Sequence, residues 1–309
     1  MEAQKIKTEI KKAFVGKDET IETLLIGFLG GLSVLIEDIP GVGKTTLAKS
    51  LAAAGGLDFG RIQFTPDLLP GDIIGMTIWD QEKQEFIFKE GAIMHQFVLA
   101  DEINRASART QSALLEAMQE QTVTVDGTTY SLPAPFFVAA TQNPSRYAGT
   151  FQLPEAQLDR FGLSLSIGYP DHDEEIAILD KINVIDPFAV IKPVTTPDEV
   201  SAVRKEIEEL FTDPKVKTYL TRIATATRNS AMVNMGMSPR ATLHLLTAAK
   251  CRAFIRGREY VLPDDVSACS LPVLQHKLLL SPEARMENKS IHDIVQEIIS
   301  DIPMPTGIA

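Results

Sequence analysis

The chain has no surplus of positive charge: 30 basic residues stand against 41 acidic ones, a formal net charge of −11. Proteins that grip nucleic-acid backbones draw affinity from basic surfaces that release counterions, so this balance argues against nucleic acid as the main ligand. Cysteine is nearly absent. Cys251 and Cys269 lie in apolar, helix-patterned surroundings. They are too few for a metal cluster and are expected as small buried hydrophobes of a reducing compartment. Long apolar runs are also missing. The longest uncharged stretch, 23–36, is too short for a transmembrane segment and is broken by Gly27, Gly30 and Gly31. The opening MEAQKIKTEIKKAF alternates charged and apolar residues and lacks the apolar centre of a signal peptide, so a cytoplasmic location is expected. Repeats and low-complexity tracts are not visible.

What remains is ordinary globular material. At 309 residues and 44% hydrophobic, the chain can bury one large core or two smaller ones. In the first half, short β-rich runs at 33–36, 61–64, 96–100, 136–141 and 163–167 alternate with helical patterns such as 45–54 and 108–120. Buried strands alternating with helices predict an α/β fold with a five-stranded parallel sheet covered on both faces. Two β-hairpins interrupt the rhythm and read as insertions. One pairs 121–125 with 128–132 around Asp126-Gly127, a dipeptide suited to a type I′ turn, and the other pairs 74–79 with 85–89. After Tyr169 helices take over, opened by Thr196-Pro197-Asp198-Glu199, Ser238-Pro239 and Pro263-Asp264-Asp265. A boundary near 170–173 would divide an α/β unit, 1–170, from a helical unit, 171–309.

The strongest motif is Asp38-Ile39-Pro40-Gly41-Val42-Gly43-Lys44-Thr45, set between a strand and a helix. Glycines there let backbone N–H groups turn inward around phosphate oxygens, and the helix start adds partial positive charge. Lys44 would meet the β- and γ-phosphates and Thr45 would offer its hydroxyl to Mg²⁺, with Thr46 beside them. The usual pattern opens with Gly where this chain has Asp38. An acid there is expected to point away from the phosphates.

Three further features converge on the same sheet edge. Phe97-Val98-Leu99-Ala100 ends in Asp101 and Glu102, whose side chains should diverge. Asp101 can hold Mg²⁺ through water while Glu102 polarises an attacking water. The run 136–141 delivers Asn143, which would orient that water, contact the γ-phosphate, or simply be a turn asparagine before Pro144. Arg160 and Arg240, taken alone, read as salt-bridge arginines.

Together, Gly-Val-Gly-Lys-Thr at 41–45, Ala-Asp-Glu-Ile-Asn-Arg-Ala at 100–106, Ala-Ala-Thr-Gln-Asn-Pro at 139–144, Leu-Pro-Glu-Ala-Gln-Leu-Asp-Arg-Phe at 153–161 and Ser-Pro-Arg at 238–240 resemble the AAA+ ATPases, and within them the MoxR family. Gln-Phe-Thr-Pro-Asp-Leu-Leu-Pro at 63–70 and Val15-Gly16 extend the likeness over nearly the whole chain. The resemblance implies a P-loop AAA+ core with a C-terminal α-helical lid. Lys44 and Thr45 would be the Walker A pair, Asp101 and Glu102 the Walker B pair, Asn143 sensor 1 and Arg240 sensor 2. Arg160 would be an arginine finger acting on ATP held by the next subunit, which implies a homo-oligomeric ring, usually a hexamer. Val15 and Gly16 would line the adenine pocket. The implied output is chaperone-like remodelling, assembly or metallation of a client protein, often with von Willebrand A-domain partners. The hairpin around Trp79, Phe86 and Phe88 is either a contact surface or simply packed rings. The chain departs from the family pattern at Arg146 and Ala148, where acids are usual, and at Gln152, where proline is. A nucleic-acid motor or loader is the alternative, which the acidic balance disfavours. A GTPase would need Asn-Lys-x-Asp, whereas Asn288-Lys289 runs into Ser290-Ile291. A small-molecule kinase would leave Arg160 and the Ser-Pro-Arg helix without a role.

Overall fold

The computed structural model describes residues 3–143, 150–180 and 188–307. Pro144, Arg146 and Ala148 lie outside the described residues. Two helices lead. In α1 (Ala3–Ala13), Ile6 and Ile10 share one face and are buried. α2 (Asp18–Leu29) opens on Asp18 and Glu19, acids that suit the positive end of a helix dipole. Then come β1 (Val34–Glu37), α3 (Lys44–Ala54), β2 (Phe59–Gln63) and a short α4 (Pro70–Ile74). A hairpin of β3 (Gly75–Asp80) and β4 (Glu85–Glu90) precedes β5 (Phe97–Asp101), α5 (Ala108–Glu120), a second hairpin of β6 (Thr122–Val125) and β7 (Thr128–Ser131), and β8 (Phe137–Gln142). α6 (Glu155–Leu158), β9 (Leu163–Leu165) and α7 (His172–Asp180) close the mixed part. The rest is mainly helical: α8 (Pro197–Glu209), α9 (Pro214–Asn229), α10 (Pro239–Ile255), α11 (Pro263–Leu274), α12 (Pro282–Met286) and α13 (Ile291–Asp301).

The sheet order is β2-β5-β8-β1-β9, all parallel. Each expected strand is present, displaced by no more than two residues at either end. Alternation along the strands sorts their side chains onto two faces. Val34, Ile36, Phe97, Leu99, Phe137 and Ala139 face one core, while Leu35, Val98, Ala100, Val138 and Ala140 face the other. The second core is closed by α5 through Leu114, Leu115 and Met118. The first is closed by α1, α2 and α3, and the buried residues of α8 to α11 belong to the same continuous cluster. Arg204 of α8 reinforces that seam, donating to the carbonyls of Phe28 (2.9 Å) and Phe136 (3.1 Å). Both hairpins stand apart from the main sheet as separate two-stranded ribbons. Asp126 (φ 48°) and Gly127 (φ 81°) both take the positive φ that a type I′ turn requires.

The capping expectations hold in detail. Thr196 accepts from the Glu199 N–H while the Glu199 carboxylate accepts from the Thr196 N–H. Ser238 caps α10 through the Ala241 N–H. Cys251 and Cys269 are buried, and burial pushes the Cys251 thiol up to about 12 and Cys269 higher still. No helix among the described residues is long and apolar enough to cross a membrane.

One buried charge fastens the helical region. Asp265 is fully buried, accepts from Arg252 (2.7 Å), Arg258 (2.6 and 2.7 Å) and the Leu262 N–H (2.9 Å), and so closes the start of α11. Burial alone would raise its pKa, but these donors outweigh burial and hold it below the ordinary aspartate value. Its stabilisation is therefore present above the unfolded aspartate pKa and fades as pH falls through the depressed folded value. Asp265→Ala, which leaves two largely covered guanidiniums without their carboxylate, should cost about 3 kcal/mol at neutral pH, read as a lower melting temperature, and less in strong acid.

Candidate nucleotide-binding site

Parallel pairing brings the C-terminal ends of β1, β5 and β8 to one edge, with Glu37 level with Gln142 and Ala100 level with Ala140. Edges of this kind are where open α/β sheets bind ligands. The loop from β1 to α3 takes its shape from two glycines, Gly41 at φ 87° and Gly43 at φ 90°. These values suit glycine, and a Cβ on Gly41 would meet only open space. Gly43 is the N-cap of α3 and carries no side chain to satisfy the first-turn N–H groups. A helix that begins uncapped inside a cavity presents those donors to an anion.

Lys44 is the centre of this arrangement. It is buried at 8% exposure, and its Nζ donates to the Asp38 carbonyl (2.6 Å) and to Asn143 Oδ1 (3.1 Å). It forms no ion pair among the described residues. Burial pulls its pKa below the ordinary lysine value, against the opposing pull of Asp38, Asp101 and Glu102. A buried ammonium whose direct acceptors are neutral has no carboxylate in contact, and a polyphosphate can take that place.

Asp101 and Glu102 diverge as expected, although the turn is sharper than strand alternation gives. Glu102 adopts a left-handed backbone (φ 57°), anchored by its N–H to Thr141 Oγ1 at 2.8 Å. Asp101 accepts from Thr141 Oγ1 (2.7 Å) and from Arg61 (2.5 and 3.2 Å). Glu102 accepts from Asn143 Nδ2 (2.8 Å), Arg105 Nη1 (2.8 Å) and Gln63 Nε2 (3.2 Å). Asn143 thus bridges Lys44 and Glu102, and it is more than a turn asparagine.

Lys44, Thr45, Thr46, Asp101, Glu102 and Asn143 line one cavity of about 290 Å³, together with Pro40, Gly41 and Gly43. The Thr45 hydroxyl and the Asp101 carboxylate are hard oxygen donors of the type Mg²⁺ prefers, and they share this cavity. A neighbouring, more apolar cavity of about 250 Å³ is lined by Val15, Gly16, Val42, Ile167 and Gly168 and shares Gly41, Gly43 and Thr46 with the first. Arg160 and Arg240 line neither cavity, and neither guanidinium has a hydrogen bond or ion pair among the described residues.

Asp38 and Ile39 also line neither cavity. The acid at the start of the loop is turned towards the chain leaving β9. Its Oδ2 accepts from the N–H groups of Ile167 (2.6 Å) and Gly168 (2.7 Å) and from Ser166 Oγ (3.0 Å), while Oδ1 accepts from the Ile39 N–H (2.9 Å). The carboxylate therefore ties the loop that holds Lys44 to the segment that walls the second cavity. Residues that sequence reasoning passed over are Arg61, Gln63, Arg105 and Thr141. Arg61 and Gln63 share one face of β2 by period-two alternation, but only the β2–β5 register shows that this face reaches Asp101 and Glu102.

Asp38→Ala strands the Ile167 and Gly168 N–H groups in a buried place. We expect about 2–3 kcal/mol of lost stability in thermal melting, together with weaker nucleotide binding by calorimetry, because the wall of the second cavity loosens.

Comparison with known proteins agrees with this geometry. Residues 33–163 match the family model described as "ATPase family associated with various cellular activities (AAA)", and residues 225–298 match that of an AAA lid domain. The chain is 44% identical to YeaC of Bacillus subtilis over 96% of its length and 92% of that protein. It is 39% identical to Chaperone MoxR1 of Mycobacterium tuberculosis over 96% of this chain and 81% of that one. It is 30% identical to Protein MoxR of Paracoccus denitrificans over 95% and 93%. A crystal structure from Cytophaga hutchinsonii superposes with a TM-score of 0.90 at 37% identity, covering 98% of this chain and 94% of that one. With its P-loop, its parallel sheet and its helical lid, the chain belongs to the MoxR family of AAA+ ATPases, and its activity is the hydrolysis of ATP.

Proposed function

We propose that ATP is hydrolysed at the cavity lined by Lys44, Thr45, Asp101, Glu102 and Asn143, and that the free energy drives chaperone-like remodelling of a client protein. The observation that carries this reading is the bridge from Lys44 through Asn143 to Glu102. An arriving γ-phosphate competes with Asn143 Oδ1 for the Lys44 ammonium. Phosphate binding is thereby coupled to the amide that holds Glu102. Glu102 accepts a proton from water as the water oxygen attacks the γ-phosphorus and the bond to the β-phosphate oxygen breaks. Arg105 and Gln63 keep the Glu102 carboxylate oriented, and Arg61 and Thr141 do the same for Asp101. Bound Mg²⁺, held by Thr45 and Asp101, would neutralise charge on the β- and γ-phosphates. The second cavity, walled by Val15 and Gly16, would take the base.

Arg160 and Arg240 lie outside this cavity. Arg160 is read as a finger for the triphosphate of the next subunit in a ring, and Arg240 as a sensor on the lid. A six-membered ring and a von Willebrand A-domain partner belong to the same proposal, as does a division into units 1–170 and 171–309. The relatives named Chaperone MoxR1 and Protein MoxR support the remodelling role. The exposed Trp79–Phe86 pair, with ring centroids 5.0 Å apart, is the surface offered to a client, whereas Phe88 is stacked on Tyr130 at 3.9 Å and packs between the two hairpins. The net charge of −11 sets the chain against a motor on nucleic acid.

Glu102→Gln keeps the amide contacts but removes the base. It should bind ATP with near-native affinity while turnover falls by about 10²–10⁴, measured as phosphate release. Retained turnover would remove Glu102 from this role.

A further inference from the structure

Asp159-Arg160-Phe161 forms the turn between α6 and β9, and the two carbonyls that bracket Arg160 meet one buried cation. Lys277, which follows α11, is 4% exposed. Its Nζ donates to the Asp159 carbonyl (3.0 Å), to the Phe161 carbonyl (2.5 Å) and to His244 Nδ1 (2.9 Å). An ammonium has three protons, and all three are used. The Asp159 carboxylate lies 3.8 Å from the same nitrogen and accepts from Ser238 Oγ at 2.8 Å. His276 Nε2 adds a second tie at the Phe161 carbonyl, at 3.1 Å.

Every one of these partners belongs to the helical region. Ser238 caps α10, which carries His244 and Arg240, and His276 and Lys277 follow α11. Burial draws the Lys277 pKa down to about 8, Asp159 opposing and Arg240 adding to the fall. Burial, with Lys277 and Arg240 nearby, also lowers His244 to about 3, so it is neutral and its Nδ1 accepts. Holding a charge here is expensive for stability, and an apolar side chain of similar length would fill the space more cheaply. What the ammonium adds is geometry: it fixes both carbonyls around Arg160 against the helix that bears Arg240.

We propose that Lys277 is the positioning residue that locks the Asp159–Phe161 turn to α10 and α11, so that presentation of Arg160 to the neighbouring subunit follows the lid of its own subunit. The inference rests on the reading of Arg160 as a finger acting in trans. In a ring it supplies the link by which one subunit's lid position reaches the next subunit's site.

The test is complementation in mixed rings. Lys277→Met alone should lose about 10²-fold in ATPase rate, the scale of a displaced reacting group, while its affinity for a non-hydrolysable ATP analogue stays native. Mixed in equal amounts with Glu102→Gln, which lacks the base but keeps its finger, activity should recover to about one quarter of wild type. That is the share of junctions in a randomly mixed head-to-tail ring that pair an intact site with an intact finger. Arg160→Ala mixed with Glu102→Gln is the control. Recovery in both mixtures supports the proposal. Recovery only with Arg160→Ala overturns the role of Lys277 and leaves the finger standing. Recovery in neither overturns both. Asp159→Asn, which keeps the Ser238 contact and removes only the charge facing Lys277, should show the same recovery after a smaller loss. It keeps the idea testable if Lys277→Met does not fold.

Discussion

A lysine buried on neutral acceptors is the constraint around which the candidate nucleotide site is arranged. Lys44 meets a carbonyl and an amide, and no carboxylate pairs with it directly among the described residues. The carboxylates that would satisfy it are diverted: Asp38 to the chain beyond β9, Asp101 to Arg61 and Thr141, Glu102 to Asn143 and Arg105. Each diversion keeps a negative charge near the lysine and prevents it from closing the ion pair. The result is a buried ammonium beside an uncapped helix start, with the Glu102 carboxylate held one amide away.

Asp38 shows how the two halves of the site are joined. Its backbone carbonyl receives Lys44, and its carboxylate receives the N–H groups of Ile167 and Gly168. One residue therefore links Lys44, in the first cavity, to the wall of the neighbouring cavity. The first core, shared by the sheet, α1 to α3 and α8 to α11, extends this link into the lid. Lys277 makes a second connection, to the turn that carries Arg160. The lid is thus fastened to the sheet by packing and to the Asp159–Phe161 turn by specific polar contacts.

Much of this was legible in the sequence where the signal is local. Glycines before Lys44, acids ending an apolar strand, Asp126-Gly127 in a hairpin and Thr196 with Glu199 at a helix start all declare themselves within a few residues. The contacts that complete the site are long-range. Asp38 meets Ile167 across 129 positions, and Lys277 meets Phe161 across 116. Arg61 reaches Asp101 only because β2 pairs with β5 in one register. An acid at position 38 looks anomalous in the loop and becomes intelligible once β9 lies beside β1. The change from strands to helices near residue 170 is visible in the pattern, but the continuous core that crosses it is not.

The central claim is that Lys44 is held without a directly paired carboxylate and takes its ionic partner from the triphosphate. Lys44→Met tests it most directly through thermal melting with and without ATP and Mg²⁺. Without nucleotide, the melting temperature should be unchanged or raised, since a poorly solvated charge has been removed, and the rise that ATP gives the wild type should vanish. A variant that melts earlier without nucleotide yet is still stabilised by ATP would contradict the account.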